Sequence, residues 1–273
     1  MLKMLYADLH RVFCDKRLFP ALPFLVIFYV LFEALALLAI SAAVHMNPGT
    51  ADDQISAAVK FVPILLSFVI GLHFGTEYTD GCIRNKLIIG TKRSSILISG
   101  VCVAAFLGVI IILCAELPVI LCGYTLFDGF VVTPVQILET TLIYMAAAVS
   151  LSVFFTVLVF VFGNNRAAWI SGPAVSTIFF VLSLIVLDKL YPDSGVCTLS
   201  GARLEIYTFL DHYVPFFHLI GYPRWELDGY IIGNAVLVIV SLVAGLVLFA
   251  KKDINPELFM RGQFSLKIQV SVF

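Results

Sequence analysis

Six stretches of this chain, 18–44, 58–74, 94–124, 136–162, 167–187 and 229–250, are almost wholly apolar. Most reach or exceed the roughly 20 residues that a helix needs to cross a bilayer. Backbone placed in hydrocarbon finds no water for its N–H and C=O groups, so it must pair them within the chain. Runs of this length do so as α-helices. The expectation is therefore an all-α polytopic membrane protein with six transmembrane helices. Composition agrees, with 61% hydrophobic and 13% charged residues and a mean hydropathy of +1.04. A soluble domain has about half and about a quarter. Residues 1–273 read as one transmembrane domain, with little room for a soluble one.

The segments between the runs give the orientation. Thirteen of the seventeen Lys and Arg fall in 1–17, 79–95, 163–167 and 251–273; the other four are Lys60, Lys189, Arg203 and Arg224. Basic loops are retained in the cytoplasm, so the N- and C-termini are both expected there, in a multi-pass protein of a bacterial cell membrane. In 1–17, Leu2, Leu5, Leu9, Val12 and Phe13 recur at helical spacing among Lys3, Arg11, Lys16 and Arg17. That pattern predicts an N-terminal interfacial helix with its basic face toward lipid headgroups. The run that follows, 18–44, is too long for a signal-peptide core of about 7–15 residues and reads as the first span. Residues 45–57 carry Asn47-Pro48-Gly49 and then Asp52-Asp53, a turn followed by solvated acids. Glu116-Leu117-Pro118 interrupts the third span and predicts tilt or a kink.

The densest group of charges lies in the 79–95 loop between spans two and three, where Arg84, Lys86, Lys92 and Arg93 follow Glu77-Tyr78. Between Gly81 and Gly90 the residues read as a helix of about two turns. Ile83 and Leu87, with Ile88 beside them, fall on one face, and Arg84, Asn85 and Lys86 lie around the other. Glu77-Tyr78, Gly81-Cys82-Ile83-Arg84-Asn85-Lys86-Leu87 and the later Arg93 resemble the signature of type-2 ABC transporter permeases. In that family the segment is typically Glu-Tyr, Gly-Thr-Ile-Arg-Asn-Lys-Leu and a later Arg, so Cys82 stands where Thr is usual. The resemblance implies that 79–95 is a coupling loop whose short helix docks on a separately encoded ATPase. It also implies that Glu77 and Tyr78 brace this helix and that Arg84, Lys86 and Arg93 face the partner. For 188–228 it implies short helices that partly re-enter the membrane and close the exit, with Pro215, Phe216 and Phe217 as the gate candidate. The aromatics there, Tyr191, Tyr207, Phe209, Tyr213, Tyr222 and Trp225 among them, equally suit a plain interfacial hairpin.

Chemistry within the chain itself is sparse. No Gly-x-x-x-x-Gly-Lys-Ser/Thr phosphate cradle occurs, so whatever energises transport is expected to come from another subunit or from an ion gradient; this chain is not read as an enzyme and is expected to bind no cofactor of its own. ATP and Mg would sit in the partner. The six cysteines show no metal spacing, although a Cys122–Cys197 bridge stays open. His212 and His218, six apart, are a weak pair for a metal. Glu33 and Glu116 fall inside spans, where a charge costs at least about 2.5 kcal/mol. Each is either a polar point in a substrate path or an interhelical hydrogen bond that fixes packing. Glu139 and His73 read as interfacial.

Together these features predict the membrane subunit of an ATP-binding-cassette exporter. It would pair with a second copy or a sister permease above two ATPase subunits, contact lipid, and bind no nucleic acid. Its cargo would be hydrophobic or amphipathic: an antimicrobial peptide, a drug or a lipid-like molecule. The rivals are a gradient-driven carrier using Glu33 or Glu116, and a scaffold or sensor that transports nothing.

Overall fold

A computed structural model describes residues 2–14, 50–127, 129–162, 165–192, 197, 199–220 and 227–251, with 27, 31, 35 and 39 besides. Among these residues the chain is helical and has no strand. In chain order the helices are α1 (Leu2–Cys14), α2 (Ala51–Val59), α3 (Val62–Thr79), α4 (Cys82–Ile88), α5 (Arg93–Leu126) and α6 (Pro134–Phe162). They continue as α7 (Asn165–Leu190), α8 (Ala202–Tyr213), α9 (Pro215–His218) and α10 (Leu227–Lys251).

Among the described residues, five helical stretches are long and apolar enough to cross a membrane: Ala51–Thr79, Arg93–Leu121, Pro134–Phe162, Ile170–Leu190 and Leu227–Lys251. The run expected to be the first span, 18–44, with Glu33 inside it, lies outside the described residues but for Ile27, Leu31, Leu35 and Ala39. Those four are helical and exposed.

α6 is the hub, packed against α5, α10, α3 and α7. Its buried Tyr144, Ala147, Ala148, Leu151, Phe155 and Phe160 form the middle of the core. Lipid offers no hydrophobic drive for helices to associate, so close backbone approach is what holds such pairs together. At Gly108 of α5 an added Cβ would stand 2.5 Å from the Ser152 hydroxyl and 3.1 Å from the Ala148 carbonyl. Only glycine admits α6 this near.

One expectation needs correction. Asp52 is not solvated: it is buried in the first turn of α2, where Thr50 and Asp53 form a capping box. Its Oδ2 accepts the N–H of Val131 at 2.7 Å and of Val132 at 3.3 Å, so the loop before α6 supplies that oxygen's donors, while Oδ1 has no hydrogen-bond partner among the described residues. His73 is buried beside Phe74, whereas Glu139 is exposed. α5 runs as one helix through Pro118.

Candidate functional site

α3 ends at Thr79, and the chain turns at Gly81, whose φ of 69° is a left-handed conformation that glycine adopts without steric cost. α4 then runs only seven residues. It closes at Gly90 (φ 90°): the Gly90 N–H donates to Leu87 O and the Thr91 N–H to Lys86 O. These two bonds satisfy carbonyls that the helix end leaves open, the pattern of a Schellman cap. Two glycines thus fix where this helix starts and stops.

A helix this short has no stability of its own and takes its orientation from tertiary contacts. Ile83 is fully buried and Leu87 half-buried against the core. Lys86, one turn on from Ile83, points the same way. Its Nζ lies 2.8 Å from Oδ1 of Asp8 and 3.3 Å from Oε2 of Glu77. Arg11 donates to the other Glu77 oxygen at 3.0 Å, and the Ser99 hydroxyl donates to Oδ2 of Asp8 at 2.7 Å. Asp8 and Glu77 are only 6% and 4% exposed. Two cations and two carboxylates therefore join α1, the end of α3, α4 and the start of α5. Burial works to lower the Arg11 pKa, but Glu77 and Cys82 raise it above its ordinary value, so the guanidinium keeps its charge.

Neighbouring residues tie the same end of the bundle. Tyr78 donates its hydroxyl to Phe160 O at 2.9 Å, one of the carbonyls in the last turn of α6. The rings of Phe74, Tyr78 and Phe249 all pack on Phe160. Arg93 donates to Phe249 O and Ala250 O, each at 3.1 Å, placing a cation on the negative end of α10.

The signature residues thus divide. Glu77, Tyr78, Ile83, Lys86, Leu87 and Arg93 turn toward the bundle, whereas Arg84 and Asn85 are exposed. The expectation that Lys86 faces outward is corrected, because two carboxylates draw it in. Ile88 is corrected the other way: it is 69% exposed, and Ile89 is 83% exposed. The outward face of α4 is therefore apolar with polar and basic residues beside it. Sequence reasoning missed Asp8, Ser99 and the tie from Arg11. A signal for Asp8 existed, since it sits on the apolar stripe of α1 with Leu5, Leu9 and Val12.

α9 packs among the bundle helices. Phe216 of α9 stacks on Phe179 at 4.5 Å and meets the edges of Phe154 and Phe155; Pro215 and Phe217 are buried beside it. His218 Nε2 lies 3.1 Å from the His212 carbonyl, which only accepts, so Nε2 carries the proton. Its Nδ1 is then free to accept from Asn234 Nδ2 at 3.4 Å, while Asn234 Oδ1 takes the Ser150 hydroxyl at 2.6 Å. Burial pushes the His218 pKa down to about 4. The two histidines do not converge on a metal site, and no group of three metal-binding side chains occurs among the described residues. Cys197 is a free thiol, so the Cys122–Cys197 bridge is not formed.

Glu116, 1% exposed, lies between α5 and α6. Its Oε2 accepts the Thr141 hydroxyl at 2.7 Å, and its Oε1 has no hydrogen-bond partner among the described residues. The contact is interhelical, and the small cavity nearby on α6, about 10 Å³ and lined by Asp52, Thr140 and Tyr144, has room for about one water.

The helices and their apolar runs define a multi-pass membrane protein. Compared with protein-family models and with curated proteins, the chain matches none.

Proposed function

We propose that this chain is the membrane subunit of an ATP-binding-cassette exporter, carrying a hydrophobic or amphipathic molecule across a bacterial cell membrane. The observation that carries the reading is α4: a seven-residue helix between two spans, held from behind by buried ion pairs, with Arg84, Asn85, Ile88 and Ile89 left facing outward. Exposed isoleucines at a charged turn are unsuited to water and suited to a protein socket. The type-2 permease signature carried by the same residues points to a soluble ATPase as that socket.

In this account both termini and α4 are cytoplasmic. Two ATPase subunits dock below a pair of permease chains, bind ATP and Mg, and pull on α4 as they close. The motion shifts an inward–outward equilibrium only if the ATP-bound form prefers one state. α3 passes the motion on, since Glu77 and Tyr78 fasten its end to α1, α4 and α6. The α8–α9 hairpin acts as the outer gate in its closed state.

The test is an Arg84→Glu, Ile88→Ser double variant, co-expressed with the product of an adjoining gene that carries a Walker A motif. It should insert normally and lose ATPase capture. Undiminished capture overturns the docking reading, and the lack of any adjoining gene with that motif weakens the energy source.

A further inference from the structure

We propose that Asp8, on the N-terminal helix, is the positioning residue of α4: by holding Lys86 against the bundle it decides which face of α4 is presented outward. Only the identity of what meets that face rests on the exporter reading. The geometry is specific. Asp8 is almost fully buried, and its two oxygens divide their work, Oδ1 toward Lys86 Nζ at 2.8 Å and Oδ2 toward the Ser99 hydroxyl at 2.7 Å. Ser99 lies on α5, whose register is fixed by the core, so the carboxylate is clamped before it reaches α4.

Glu77 also reaches Lys86, but at 3.3 Å, and its other oxygen is taken by Arg11. Glu77 sits on the same continuous segment as α4, nine residues before Lys86, and moves with the turn that joins them. Asp8 comes from a separate element. It is the carboxylate that ties the charged side of α4 to something other than its own span, beside the apolar contacts of Ile83. Ile83 and Lys86 together then set two points on one face, and Arg84, Asn85 and Ile88 must point away. α1 becomes part of whatever unit α4 moves with.

The experiment reads Lys86 directly, on the purified full chain in detergent with no partner present. A water-soluble N-hydroxysuccinimide ester acylates free lysine amines, and mass spectrometry follows each site, with exposed Lys92 as the internal reference. In the unaltered chain Lys86 should react several-fold more slowly than Lys92. Asp8→Asn should bring Lys86 up to the Lys92 rate while leaving Lys92 unchanged, and Asp8→Glu should restore protection. Ser99→Ala, which loosens only the clamp on Asp8, should give an intermediate rate and serves should Asp8→Asn fold poorly. Lys86 as protected in Asp8→Asn and Ser99→Ala as in the parent overturns the proposal. Because the reaction involves no ATPase, its failure is separate from failure of the docking reading, which the Arg84→Glu, Ile88→Ser capture decides.

Discussion

Replacing Lys86 by methionine keeps the length of the side chain and removes its charge. Two buried carboxylates, Asp8 and Glu77, then lose their shared cation. Removing one member of a fully buried pair typically costs about 3–5 kcal/mol, because the other charge is left without compensation. Here the figure must be reduced. The Lys86 side chain is 18% exposed, Asp8 keeps the Ser99 hydroxyl, and Glu77 keeps Arg11. A loss of about 2 kcal/mol is the reasoned magnitude. The contrast is Arg84→Met on the outward face, where surface substitutions stay within about 0.5 kcal/mol. Equilibrium unfolding of the purified chain in mixed detergent measures both. Removing the acids as well, with Asp8→Asn and Glu77→Gln, should recover much of the loss, since neutralising a whole buried network is often neutral or stabilising. The reasoning is refuted if Lys86→Met and Arg84→Met are equally harmless, or if the triple variant is the sum of its parts.

Tyr78→Phe should cost about 1 kcal/mol, read by the same unfolding, because the buried Phe160 carbonyl loses its donor. Gly233→Ala should loosen the far-end hairpin, since its Cβ would run into the Tyr213 backbone; faster proteolysis between α8 and α10 is the readout. His218 adds a pH dependence. Held neutral with a pKa lowered from 6.5 to about 4, it stabilises fully above about pH 6.5, and stability falls as pH drops toward 4, where the folded form takes its proton. The limit is about 3 kcal/mol, and His218→Gln should flatten the slope across that window.

The spans from α5 onward were legible because length and hydropathy suffice to mark them: the run ending at Phe162 and the one starting near Arg93 fall within a residue or two of the helices. The run expected at 58–74 is instead displaced to Val62–Thr79 in α3. α4 was legible from its two glycines. The direction of Lys86 was not, although its spacing from Ile83 puts both on one face. A lysine is read as solvated unless its partner is known, and Asp8 lies 78 positions away on another helix. Asp52 misled for the same reason. Acids beside a turn look exposed until the loop at Val131 and Val132 returns to donate its N–H groups. Long-range polar pairs leave no periodic trace, whereas apolar burial does.

The central claim is that the outward face of α4 is where a soluble ATPase grips a chain whose sequence has no Walker A motif. The most direct measurement places a photo-activatable amino acid at Ile89, the most exposed isoleucine of the turn, in membrane vesicles that also hold the proposed ATPase partner. Irradiation should join the two chains, with a yield that changes when ATP is added. Adducts to lipid alone, or to proteins supplied only from the external side, contradict the account.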